Sequence, residues 1–187
     1  RAWRPAALLA VGTVVSILTG TGFASADFAQ WTPFAQLVLL ALMFFGGCTG
    51  STTGGLKIAR MDMLLQVIRR EFKRMVERRG IFAIHVGREV VPESTIQSLL
   101  NLVYLAFLIN FGACILLTAL GVDVFTSISA VASCMFNIGP GLGAVGPTQN
   151  YADFPTPVKW ILTACMISGR LEFYVFLVIL SPSFWRK

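Results

Sequence analysis

Apolar residues fall in five blocks along this 187-residue chain. Three blocks are long enough to cross ~30 Å of hydrocarbon at about 1.5 Å per residue. The first starts near Pro33 and runs through a glycine-rich stretch toward Arg60, the second runs from about Ser94 to Leu120, and the third from about Thr156 to Leu180. The other two, PAALLAVGTVVSIL (Pro5 to Leu18) and VFTSISAVASCMF (Val124 to Phe136), have only fourteen and thirteen residues. Runs of that length read as re-entrant helices, which enter a membrane and turn back. Each is followed at once by a polar, glycine-bearing turn, TGTGF after the first and NIGPGLG after the second.

The two short blocks also match each other. SILTGTG (Ser16 to Gly22) has the spacing of SCMFNIG (Ser133 to Gly139), ADF recurs at Ala26 to Phe28 and at Ala152 to Phe154, and a proline then opens a spanning segment in both places. The order of parts predicts a duplicated unit of short re-entrant helix, glycine turn and spanning helix, repeated after roughly 120 residues.

Composition agrees with a membrane setting. Hydrophobic residues make up 56% of the chain and charged residues 13%, with a mean hydropathy of +0.74. Nine of the fifteen Lys and Arg lie between Lys57 and Arg88, which marks that segment, and with Arg186 and Lys187 the C-terminus, as cytoplasmic. Three crossings then put both glycine turns on the outer side, with Trp31 and Trp160 near the outer interface and Trp185 near the inner one. The chain has no initiator Met and no signal pattern, and its first residues read as mid-protein sequence, so a piece of a longer protein is expected. Cys48, Cys114, Cys134 and Cys165 sit in apolar or small-residue surroundings without a CxxC pair and read as buried reduced thiols. His85 stands alone in a polar loop, where a metal site would need several ligands.

Irregular backbone inside a membrane survives only against protein or a water-filled cavity. Two re-entrant turns entering from one side therefore fit an ion pore, because carbonyl oxygens can replace the hydration shell of a monovalent cation. The candidate filter strands are Thr19-Gly20-Thr21-Gly22 and Asn137-Ile138-Gly139-Pro140. Glycine permits the positive φ that aims successive carbonyls one way, and the helix C-termini that lead into the turns favour a cation. The alternative is that both turns are outer loops packed for shape alone.

GGCTGSTTGGLK (Gly46 to Lys57) holds five glycines and four Ser/Thr residues in twelve positions. At about 1 kcal/mol per glycine against continued helix, it predicts a break in the first spanning segment. Ser51, Thr52 and Thr53 can satisfy freed backbone groups, and a plain kink that relieves packing is the simpler alternative. Arg170 lies deep in the last apolar block, where insertion costs at least ~2.5–3.5 kcal/mol, so it should face a cavity or a partner. Glu172, two residues on, points to another helix face. Ile58, Met61, Leu65, Ile68, Phe72 and Met75 recur at helical steps among Arg and Lys, an amphipathic basic helix suited either to anionic lipid heads or to a protein partner. Two soluble-protein motifs fall away. Gly141, Gly143 and Gly146 match GxGxxG without a preceding strand, and GSTTGGLK lacks the GK[ST] of a phosphate loop. No nucleophile–base pair, paired-carboxylate site or nucleic-acid-binding feature is present, so an enzyme is not expected.

TGTGF, GGCTGSTTGGLK, NIGPGLG, GRLE (Gly169 to Glu172) and SPSFWR together resemble the C-terminal half of the Trk/Ktr/HKT superfamily of potassium transporters, closest to its bacterial Trk pore subunit. The resemblance covers nearly the whole chain. It implies an all-α integral membrane fold with helix–pore-loop–helix repeats, four of which surround one pore. Residues 1–90 would be the third repeat without its first helix, and residues 91–187 the fourth. It implies a potassium filter at Thr19, Gly20, Thr21, Gly22, Asn137, Ile138 and Gly139. It further implies an intramembrane gate at Gly46, Gly47, Gly50, Ser51, Thr52, Thr53, Gly54 and Gly55, with Arg170 beside it as an electrostatic barrier. A structural arginine bonded to loop carbonyls is compatible with that role. Family filters read closer to TTTG in the third repeat, and Gly20 departs from that, which leaves the stiffness of the strand open. The partners implied are the N-terminal half of the same pore, a second copy in a homodimer, a cytosolic nucleotide-binding regulatory subunit and membrane lipid. No cofactor is implied, K⁺ being the transported ion, and the cell inner membrane is the expected location. The rivals are a sodium-permeable or sodium-coupled transporter of the same superfamily, a secondary carrier with a midplane site at its broken helices, and a non-transporting membrane scaffold, which leaves Arg170 unexplained.

Overall fold

The computed structural model describes residues 3–47, 56–77, 84–86, 89–171, 173, 178 and 182–185. Its helices are α1 (Trp3–Leu18), α2 (Pro33–Met43), α3 (Ile58–Val76), α4 (Glu93–Ala119), α5 (Val124–Met135), α6 (Thr156–Arg170) and α7 (Pro182–Trp185). Two 3-10 turns (Phe28–Gln30 and Gly143–Val145) and two short ladders complete the described elements, with β1 (Phe45–Gly46) parallel to β2 (Leu56–Lys57) and β3 (His85–Val86) antiparallel to β4 (Glu89–Val90). His85 is thus in a short ladder rather than a free loop, its N–H donating to Gln66 Oε1 at 3.3 Å.

Both short apolar blocks are helices of the expected length. Each following helix opens on proline: Thr32 Oγ1 caps α2 ahead of Pro33, and Pro155 precedes α6. Among the described residues only α4 is long and apolar enough to cross a membrane by itself. The helix of the first spanning block ends at Met43 with Phe44 as its C-cap, before the glycines begin. Phe44 stacks on Phe107 (6.1 Å) and meets Phe136 edge-on (5.0 Å), and Phe45 and Gly46 pair with Leu56 and Lys57.

The third block departs from the expected helix to Leu180, because α6 stops at Arg170. The Phe173 N–H turns back to the Ser168 carbonyl at 2.9 Å with Phe173 at φ 53°, which closes the helix. Hydropathy registers the apolarity of this block and not its backbone path.

The core gathers around α5, which packs against α4, α6 and α2. Ala130, Val131, Ala132, Ser133 and Met135 are completely buried, together with Leu117, Leu142 and Val158. Phe28, Leu39 and Met43 from the first copy join the same cluster. Lipid tails are as apolar as these side chains, so burial alone does not hold such helices together in a membrane; close packing of small residues and interior hydrogen bonds do. The sequence of α5, VFTSISAVASCM, supplies both.

The amphipathic helix forms as read. Ile58, Leu65, Ile68, Phe72 and Met75 remain exposed on α3, while Arg70 is only 7% exposed. Its guanidinium makes a bidentate pair with Glu93 at the start of α4, with Nη1 to Oε2 at 2.7 Å and Nη2 to Oε1 at 2.9 Å, and its Nε–H reaches Glu71 at 3.2 Å. The bonds to Glu93 hold Arg70 still more firmly in its charged form. Beneath the pair, Val67, Ile84 and Ile96 form a small separate cluster. Glu93 is largely exposed, so water screens the pair and its contribution to stability is modest. Glu93→Ala in the full-length protein is expected to raise the rate of tryptic cleavage inside α3 about five-fold; an unchanged rate means that the apolar cluster alone holds α3 to α4.

Candidate ion-path site

Both glycine turns are helix closures of one kind. In the first, the Gly20 N–H bonds Ile17 O (3.1 Å) and the Thr21 N–H bonds Ser16 O (3.1 Å). In the second, the Asn137 N–H bonds Cys134 O (3.1 Å) and the Ile138 N–H bonds Ser133 O (3.0 Å). This is the Schellman pattern, which satisfies the last carbonyls of a helix as the chain leaves it. The matched positions take the same backbone sign: φ is 66° at Gly20 and 55° at Asn137, then 69° at Gly22 and 109° at Gly139. Only Gly, and less readily Asn, enters this region without strain. Gly20 therefore suits the conformation it holds.

The structure brings the two turns together. A Cβ added at Gly22 would lie 2.0 Å from the Ile138 carbonyl oxygen and 3.0 Å from Pro140. Ile138 is buried, whereas Thr19, Thr21 and Gly139 are exposed and Gly20, Gly22 and Asn137 half-buried. The C-termini of α1 and α5 both run into this site, each carrying roughly half a negative charge from its aligned peptides.

Hydroxyls on one face of α5 lace the second strand to the helix. Ser133 Oγ donates to Gly139 O (2.8 Å) or Pro140 O (3.0 Å), Ser129 Oγ accepts from the Leu142 N–H, and Thr126 Oγ1 accepts from the Ala144 N–H (3.4 Å). The sequence reading missed this ladder, although Thr126, Ser129 and Ser133 sit at i, i+3 and i+7 and so share a face. From the other side, Asn137 Nδ2 donates to the Met166 carbonyl on α6 at 3.3 Å.

In each copy a glycine meets the last carbonyl of the re-entrant helix. The Gly47 N–H bonds Leu18 O at 3.3 Å, and a Cβ on Gly169 would stand 1.6 Å from Met135 O. The expected gate thus begins at the end of α1, and Arg170 follows the glycine that touches the end of α5. Leu56 N–H to Phe44 O (3.2 Å) and Ile58 N–H to Gly47 O (3.3 Å) close the base of the glycine-rich stretch. Gly50, Ser51, Thr52, Thr53, Gly54 and Gly55 lie outside the described residues, as do Cys48, Glu172, Arg186 and Lys187. Arg170 is exposed on this chain and is not without a partner. Cys134 and Cys165 are buried free thiols, and Cys114 is half-buried.

The family model TrkH, described as cation transport protein, matches residues 5–187. The chain belongs to the TrkH family. The Trk system potassium uptake protein TrkH of Vibrio parahaemolyticus is 39% identical over 174 residues, spanning 92% of this chain and 35% of that protein. The Trk system potassium uptake protein TrkI of Halomonas elongata is 36% identical over 175 residues, spanning 93% of this chain and 36% of that protein. The crystal structure of the potassium transporter TrkH from Vibrio parahaemolyticus superposes with a TM-score of 0.85 at 37% identity, covering 93% of this chain and 37% of that one. The helical fold is therefore that of a membrane transporter, and this TrkH-family chain spans about a third of the length of the relatives it matches.

The glycine contacts give a sharp test within this TrkH-family fold. Gly169→Ala forces backbone against backbone and is expected to abolish the monodisperse detergent-extracted species. Gly112→Ala has open space around its new Cβ and removes a flexible residue from a helix interior, so it should leave that species intact. Equal behaviour of the two variants on size-exclusion chromatography would contradict the packing of α6 on α5.

Proposed function

We propose that this chain supplies two quarters of a potassium-uptake pore in the cytoplasmic membrane. Residues 1–90 form a third pore repeat without its first helix and residues 91–187 a fourth, and the N-terminal half of the same pore completes the ring. The observation that carries this reading is the matched pair of turns, with positive φ at Gly20 and Gly22 and again at Asn137 and Gly139, at the converging C-termini of α1 and α5. Alternation of backbone sign lets successive carbonyls face one side, as a filter for a dehydrated monovalent cation requires. Thr19 to Gly22 and Asn137 to Gly139 are the filter strands in this reading. The names of the relatives, potassium uptake proteins, support K⁺ as the ion.

The glycine-rich stretch from Gly46 to Gly55 acts as the gate. Its base is clamped by the β1–β2 bridge and its first residues lie at the end of α1, on the cytoplasmic side of the filter. Arg170 adds a charge barrier there: at an effective dielectric of ~20, a unit charge some 6 Å from the ion contributes roughly 2–3 kcal/mol. The basic segment from Lys57 and the C-terminus face the cytoplasm. The exposed apolar face of α3 serves a second copy or a cytosolic nucleotide-binding regulatory subunit.

The filter is tested by Gly139→Ser in full-length protein reconstituted into vesicles. Space around Gly139 is open, so the change strains only the backbone. The K⁺/Na⁺ permeability ratio is expected to fall; an unchanged ratio in assembled protein overturns the filter assignment. The gate is tested by deleting Gly50 to Thr53, which should raise resting K⁺ flux. Arg170→Ala should raise flux more than tenfold, whereas Arg170→Lys should largely preserve the barrier. Loss of assembly in both would make Arg170 a brace.

A further inference from the structure

The two turns share a backbone but not their supports. Tyr151 Oη donates to the Gly139 carbonyl at 2.9 Å, and Ser133 Oγ donates to the same oxygen at 2.8 Å. Ser133 Oγ also lies 3.0 Å from the Pro140 carbonyl oxygen, and its one proton serves one of the two acceptors. The Tyr151 ring is fixed edge-on against Phe154, with centroids 6.0 Å apart and planes at 78°. In the first copy the residue before ADF is Ser25, where the second has Tyr151. Its side chain lacks the reach of a phenol. Among the described residues, Ser16 Oγ and Thr21 Oγ1 lie 3.2 Å apart there, and Thr19 Oγ1 donates to Val15 O at 2.7 Å.

We infer that Tyr151 is a selectivity-determining positioning residue, which holds the Gly139 carbonyl back on the scaffold and stiffens the second filter strand from outside. The inference rests on the pore reading above. A strand that binds ions through carbonyls can favour the larger K⁺ by resisting closure around the smaller Na⁺. Resistance requires anchors that do not themselves bind the ion. Tyr151 and Ser133 anchor Gly139, Asn137 Nδ2 anchors the turn to α6, and the carbonyls on the inner side remain for the cation.

Tyr151→Phe keeps the ring and its contact with Phe154 and deletes only the hydroxyl. In reconstituted full-length protein it is expected to lower the K⁺/Na⁺ permeability ratio about five-fold, the size of one lost hydrogen bond, with K⁺ flux and size-exclusion elution unchanged. Gly139→Ser, measured alongside, reports on the pore reading. If Gly139→Ser lowers the ratio and Tyr151→Phe does not, the brace is overturned and the filter stands. If neither lowers it, the filter assignment falls and the brace with it. Should Tyr151→Phe fail to assemble, Ser133→Ala removes the other bond to the same oxygen and must lower the ratio. An unchanged ratio in that variant, or loss of assembly in both, assigns the hydroxyls to folding alone and overturns the inference.

Discussion

Peptide groups inside a membrane cannot be left to water, and that constraint shapes every reversal in this chain. A helix that stops halfway leaves its last four carbonyls without partners. Here α1 and α5 are closed in the same way, by amides one to three residues past the helix end folding back onto Ser16 and Ile17 in one case and Ser133 and Cys134 in the other. Such closures need positive φ, and the chain places Gly20 and Asn137 where it is needed first. In the pore proposed above, the carbonyls that follow Gly20 and Asn137 line the cation path.

The second copy carries more of the scaffold than the first. α5 is buried from Ser129 to Met135, and three of its hydroxyls hold the strand from Gly139 to Ala144. The matching positions on α1 are Leu9, Gly12 and Ser16, so only one hydroxyl of the three is retained there. The two turns share a backbone path while their supports differ.

Among the described residues, α3 and the two short ladders are tied to this scaffold at few points. Arg70 and Glu93 join α3 to the start of α4 over a small apolar cluster, and the β1–β2 bridge joins the start of α3 to the end of α2. A displacement of α3 would therefore pull on Leu56 and Lys57, at one end of the glycine-rich stretch, and through Glu93 on α4. A partner binding α3 has a short mechanical route to the segment assigned as the gate.

Much of this was legible in the sequence. Block length separated the helices of α1 and α5 from the span of α4, because hydrocarbon thickness fixes what can cross. Glycine spacing located both turns, since positive φ excludes most side chains, and the helical period of α3 showed in its alternating Ile, Leu, Phe and Arg. Tertiary structure decided the rest. Hydropathy could not see α6 closing at Arg170, because the residues beyond are equally apolar and the closure is a backbone turn of the Phe173 amide onto the Ser168 carbonyl. Nor could it pair Arg70 with Glu93, set Tyr151 on the Gly139 carbonyl, or bring Gly22 against Ile138. Those contacts join residues far apart in sequence or reach across a turn. Local pattern records how each segment must fold, while only the packed chain records what each segment meets.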